Sequence, residues 1–145
     1  MDMKGAMSDM NILFFLIPKA SCAYVYSDFS IRQALERMEN DGYSSMPILD
    51  RDGKYVGALT EGDLLWASKN LCGMDLRQTE SHGIMEISHH RDHAPVSANT
   101  DIEDLFVKAA DQNFVPVVDD KGDFIGIITR SAIVRYCLEH FIQNR

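Results

Sequence analysis

The chain repeats itself. Tyr55-Val56-Gly57-Ala58-Leu59-Thr60-Glu61-Gly62-Asp63-Leu64-Leu65 returns near the C-terminus as Phe124-Ile125-Gly126-Ile127-Ile128-Thr129-Arg130-Ser131-Ala132-Ile133. Thr60 and Thr129 are 69 positions apart (129 − 60), and the same offset relates Gly57 to Gly126, Gly53 to Gly122 and Pro47 to Pro116. Four matches at one offset mark an internal repeat, and a repeat constrains the fold more than any bulk property. In each copy an apolar, β-prone run stops at a threonine suited to N-cap the helix that follows.

The rest of each copy can be read around that turn. In the first, Tyr24 to Tyr26 is a short strand. Ser30-Ile31-Arg32-Gln33 resembles a capping box, and Ile31, Ala34, Leu35 and Met38 mark one face of an amphipathic helix that Asp41-Gly42 ends. Ser45 to Leu49 is a strand, Asp50-Arg51-Asp52-Gly53 a tight turn, Tyr55 to Leu59 the return strand, and a helix runs from Thr60 to about Lys69. The second copy has a strand at Val96 and a helix capped by Thr100 or Asp101, with Ile102, Leu105, Phe106 and Ala109 inside. Strands Phe114–Val118 and Phe124–Ile128 flank the turn Asp119-Asp120-Lys121-Gly122. A last helix runs from about Arg130 to Phe141, with Ile133, Val134, Cys137, Leu138 and Phe141 on one face. Asn11 to Ile17 reads as an apolar helix ended by Pro18, and Ile84-Met85-Glu86-Ile87 echoes it. The predicted division is a flexible N-terminus at 1–10, repeats at 11–69 and 84–145, and a connector at 70–83 without apolar periodicity. The fold class is α+β: two β-α-β-β-α repeats packed about a pseudo-two-fold axis, because one such unit buries a core poorly alone. That packing makes clefts in pairs, each borrowing from both copies.

Composition narrows the function. The 145 residues are 46% apolar, enough for a core, and carry a net charge of −8. With a pI near 4.9, neither nucleic acid nor an anionic membrane is an expected partner. The longest apolar run, Ile12 to Ile17, is too short to span a bilayer. Three widely spaced cysteines and no signal peptide predict a reducing cytoplasm. No phosphate loop, dinucleotide glycine motif or nucleophile–base pair is present, so no enzyme is expected. Cys137 and His140 lie one turn apart on an apolar helix, which suits a packed thiol. His89-His90-Arg91-Asp92-His93 reads as a solvated linker, with transition-metal binding as the alternative.

Tyr43-Ser44-Ser45-Met46-Pro47-Ile48-Leu49-Asp50 followed by Gly57-Ala58-Leu59-Thr60-Glu61-Gly62-Asp63 resembles the signature of the cystathionine-β-synthase-type (CBS) domain. So does Phe114-Val115-Pro116-Val117-Val118-Asp119 followed by Gly126-Ile127-Ile128-Thr129-Arg130. A tandem pair of these domains is a Bateman module, and the resemblance runs from about Asn11 to Phe141. It implies a stand-alone bacterial ligand sensor, cytoplasmic and homodimeric, whose contacts are the apolar faces of Asn11–Ile17 and the final helix. The second copy is two residues shorter before its Pro, since Ile102 lies 71 positions after Ile31 but Pro116 only 69 after Pro47; this and its Thr-Arg pair also resemble proteins that bind cyclic di-AMP, although Ser131 and Asp63 depart from that pattern.

The resemblance assigns roles residue by residue. Thr60 binds a phosphate at the helix start and Asp63 accepts from a ribose diol. The tetrapeptide Thr60-Glu61-Gly62-Asp63 is also an ordinary capping box; the duplicated context favours the nucleotide role. One cleft would be lined by Thr60, Asp63, Asn113 and the backbone at Ala94, which would read the adenine edge, with the histidine run at its rim. The other would use Thr129, Arg130, Ser44 and the backbone at Ala23. There Ala132 replaces the ribose aspartate, so that cleft is either empty or holds its ligand through Arg130, whose other reading is a solvated surface side chain. The expected function is a regulatory module for an AMP-like adenine nucleotide that signals to an unidentified protein. The alternatives are a cyclic di-AMP or S-adenosylmethionine sensor, or an interaction module with degenerate sites. No cofactor and no metal is expected.

Overall fold

The computed structural model describes residues 10–87 and 93–143; the predicted flexible terminus falls, apart from Met10, outside them. Strand β1 (Ile17–Pro18) follows a 3-10 turn, Ile12–Phe15. Next come β2 (Val25–Tyr26), α1 (Ile31–Asp41), β3 (Ser45–Leu49), β4 (Tyr55–Thr60), α2 (Glu61–Asn70) and α3 (Leu76–Ser81). The second half holds β5 (Val96–Ser97), α4 (Ile102–Asp111), β6 (Phe114–Val118), β7 (Phe124–Thr129) and α5 (Arg130–Gln143). By their contacts the described residues form two compact units: 23–87, and 10–22 together with 93–143.

In the first unit the predicted capping box forms. Ser30 Oγ accepts from the Gln33 N–H at 3.1 Å, and Gln33 Oε1 accepts from the Ser30 N–H at 2.8 Å. Gly42, at φ +71°, closes α1 in the left-handed conformation that glycine adopts without a steric cost. Because α1 is a crossover, β2 lies parallel to β3, with Val25 opposite Ile48. The short turn after β3 returns β4 antiparallel, with Pro47 opposite Ala58, giving sheet order β2-β3-β4. Val25, Ile31, Met46, Ile48, Leu59 and Leu64 fill the core beneath it.

The second unit repeats this plan as β5-β6 parallel and β6-β7 antiparallel, then adds β1 to the outer edge of β7, in the order β1-β7-β6-β5. Ile17 pairs with Ile127 and Pro18 with Gly126. At Gly126, φ is +155° and a Cβ would overlap the carbonyl oxygen of Ile17 and stand 2.9 Å from Leu16 Cδ1. Only glycine admits β1 there.

Three expectations change. Asn11–Ile17 is a single 3-10 turn that runs into a strand, because Leu16 turns to extended backbone and Ile17 pairs with β7. The connector contains a helix, α3, which the polar sequence Leu76-Arg77-Gln78-Thr79-Glu80-Ser81 concealed; only Thr79 is buried in it. It starts at Asp75, whose carboxylate accepts from the Arg77 N–H at 3.0 Å, and it packs along α1. The compact units also cut across the repeats. Ile12 and Phe15, ahead of the first repeat's strands, are buried in the second unit with Val96, Leu105, Val115 and Ile128. Ile84 and Ile87, ahead of the second repeat's strands, are buried in the first unit. Each repeat thus lends its leading apolar turn to the other's core.

Candidate functional site

In the first unit the β4–α2 junction places Thr60 at the N-cap of α2. Its Oγ1 accepts from the Asp63 N–H at 3.1 Å, and Asp63 Oδ2 accepts from the Thr60 N–H at 2.9 Å. The capping-box geometry is therefore present, and it consumes one carboxylate oxygen of Asp63. That side chain is buried at 5% exposure, and its other oxygen makes no hydrogen bond among the described residues. The Glu61 N–H donates to the Ser44 carbonyl at 2.9 Å, bringing Ser44 to the same turn. The exposed Gly62 amide has no hydrogen-bond partner among the described residues. The turn thus offers an open N–H at the positive end of a helix, next to an acceptor oxygen. Ala23, by contrast, packs against the core of this unit.

The β7–α5 junction in the second unit has the same skeleton and different chemistry. Thr129 Oγ1 accepts from the Ala132 N–H at 3.2 Å, and the Arg130 N–H donates to the Asn113 carbonyl at 3.0 Å. Ala132 has no side-chain acceptor to return the bond. Arg130 Nε donates to the Ala109 carbonyl at 2.7 Å, at the C-terminal end of α4, where carbonyls carry partial negative charge. The side chain is thus neither wholly solvated nor wholly committed: the guanidinium is exposed, and its two NH2 groups have no partner among the described residues.

Around Ala94 the structure supplies a residue that the sequence did not single out. Gln112 follows α4, and its carboxamide closes on the Ala94 backbone. Oε1 accepts from the Ala94 N–H at 3.1 Å, and Nε2 donates to the Ala94 carbonyl at 3.2 Å and to the Phe114 carbonyl at 3.3 Å. His93 is buried, stacks on Phe114 at 4.4 Å, and sets Nε2 2.8 Å from Asn113 Oδ1. His93 is therefore part of the packing of its own unit. His89, His90, Arg91 and Asp92 lie outside the described residues.

Two α+β units of one plan, each turning from strand to helix at a capping threonine, define a tandem-repeat α+β module. The CBS domain model matches residues 17–70 and 84–139, and the chain belongs to the CBS domain family. A chloroplastic CBS domain-containing protein of Arabidopsis thaliana, CBSX1, is 25% identical over 151 residues, covering 86% of this chain; the match spans 63% of that relative's length. The crystal structure of CbpB in complex with c-di-AMP shares the fold, with a TM-score of 0.82 at 22% identity over 98% of this chain and 95% of that one. CBSX2 in complex with AMP superposes with a TM-score of 0.70 at 25% identity, over 89% of this chain and 96% of that one. Among the described residues no helix is long and apolar enough to cross a membrane.

Proposed function

We propose that this chain is a regulatory CBS pair that binds an AMP-like adenine nucleotide and transmits occupancy to a partner protein. The observation that carries the reading is the β4–α2 turn. The open Gly62 amide and the helix dipole suit a phosphate, and the second oxygen of the Asp63 carboxylate suits a ribose hydroxyl. In the other unit, the Ala94 backbone, whose N–H and C=O both meet one carboxamide, suits an adenine edge. CBSX2, solved with AMP at 25% identity, supports an adenine nucleotide as ligand. Thr129 and Arg130 form a second phosphate-binding turn with no ribose acceptor at Ala132, so a ligand there relies on its phosphate and base. Ser44 adds its carbonyl beside the β4–α2 turn and Asn113 its carbonyl beside the β7–α5 turn, and Ala23 is the counterpart of Ala94 in the first repeat. Binding acts by favouring one packing of the protein over another, with no bond made or broken.

The test is calorimetry with AMP, ADP, ATP, S-adenosylmethionine and c-di-AMP, the last because the CbpB chain was solved with it. AMP-class binding below millimolar that Asp63→Ala weakens supports the reading; no binding by any of the five refutes it. A homodimer is part of the proposal. Phe14, whose ring meets Tyr136 edge-on, and Leu138 are 65% and 57% exposed in one unit, and apolar side chains of this size suit a contact with a second copy. Light scattering that gives a monomer refutes this part.

A further inference from the structure

The Gln112–Ala94 contact has a chemical meaning beyond a tether. In extended backbone the N–H and C=O of one residue point to the same side. The Gln112 carboxamide meets that pair with its oxygen on the N–H and its NH2 on the C=O, at 3.1 and 3.2 Å. The Watson–Crick edge of adenine presents the same pair: N1 accepts and the adjacent N6 amino group donates. Guanine presents the reverse order, an N1–H donor beside an O6 acceptor, and in the orientation that adenine takes it would oppose Ala94 at both positions.

We infer that Gln112 is an internal stand-in for the adenine base, occupying the base-reading backbone of Ala94 until a nucleotide displaces it. This rests on the reading of the chain as an adenine-nucleotide sensor and adds a gate to it. The stand-in is held firmly, because Nε2 also bonds the Phe114 carbonyl at the start of β6. On either side of the contact, His93 and Asn113 bond each other, which fixes the two segments that Gln112 joins. The other repeat lacks the device. Tyr43 stands where Gln112 stands in the 69-residue register and is half-exposed, and no side chain bonds the backbone of Ala23 among the described residues. The base-reading backbones of the two repeats are therefore unequal: one is plugged by its own chain and one is not.

The experiment compares wild type with Gln112→Ala and Gln112→Met, the latter keeping the side-chain length without the amide, each first checked for an unchanged melting profile. Calorimetry with AMP and GMP is the readout, along with the Gln112 side-chain NH2 signals in a 15N-resolved spectrum. AMP should bind the variants about ten-fold more tightly, the size expected when two neutral hydrogen bonds no longer have to be broken first. The Gln112 NH2 signals of wild type should shift on AMP addition, and GMP should stay weak throughout. Equal or weaker AMP binding by both variants, or NH2 signals that AMP leaves in place, overturns the gate while leaving the nucleotide reading intact. If AMP binds neither wild type nor variants below millimolar, the nucleotide reading fails and the gate falls with it.

Discussion

Replacing Gly126 with alanine tests how the N-terminal segment is held. The position combines a φ of +155° with a Cβ path blocked by the Ile17 carbonyl oxygen, which is backbone and cannot rotate away. Two responses are open to the protein. If β1 stays, the alanine is strained, at about 1–3 kcal/mol, and the overlap adds a similar amount. If β1 peels off, Ile12 and Phe15 leave the core, at about 1.5–3 kcal/mol each. Either route costs about 4 kcal/mol, which lowers the melting temperature by roughly 12 °C if the chain unfolds as a whole. Gly42→Ala is the comparator: its φ is +71°, but nothing lies within 4 Å of the new methyl. That change costs only the left-handed strain, about 1 kcal/mol. Calorimetry and hydrogen exchange over residues 12–18 read both effects. A Gly126→Ala loss no larger than that of Gly42→Ala, with protection of 12–18 unchanged, refutes the argument.

Two further outcomes are expected. Without any ligand, Asp63→Ala should destabilise by about 1 kcal/mol through loss of the bond to the Thr60 N–H, while Asp63→Asn, which keeps an acceptor, should lose less; thermal melts of the free protein separate this structural share from the ligand effect. The Glu86 carboxyl is held below its ordinary value by His82 Nδ1 at 3.1 Å and by the Gly83 N–H. Its contribution is full above the usual glutamate value of 4.5 and is lost as pH falls through the lower folded-state value. Melts across pH 2 to 6 should show a shallower acid loss in Glu86→Gln than in wild type, and identical curves would rule the contribution out.

Much of the fold was legible because the repeat carried it twice. The capping boxes at Ser30 and Thr60, the Asp50–Gly53 turn and the apolar face of α1 are local patterns, and local patterns survive in one sequence. What stayed hidden depends on partners far along the chain. Nothing in Ile17-Pro18 announces Ile127 and Gly126 as pairing partners, and nothing distinguishes Gly126 from its repeat mate Gly57, although of the two only Gly126 has a positive φ and a strand paired on each side. Helix α3 escaped because a short polar helix held by one buried threonine has no apolar period to read. At the candidate site, Thr60 and Asp63 could be paired by spacing alone, whereas Gln112 reaches Ala94 across 18 positions of sequence. A glutamine at the end of a helix looks like any solvated polar residue until the fold shows what it touches.

The added strand β1 also sets an order on folding. Residues 23–87 form a unit from one unbroken stretch of chain, so it can close as soon as that stretch has been synthesised. The other unit cannot. Ile12, Phe15 and β1 are made before all of that stretch, yet the edge they complete, Phe124 to Thr129, is made after it. On a ribosome adding ~5–20 residues per second, that interval of about a hundred residues lasts roughly 5–20 s. During it an apolar turn and an unpaired strand wait without their partner, and β1 with β7 is a non-local pairing, the kind that is rewarded only after a long loop has closed.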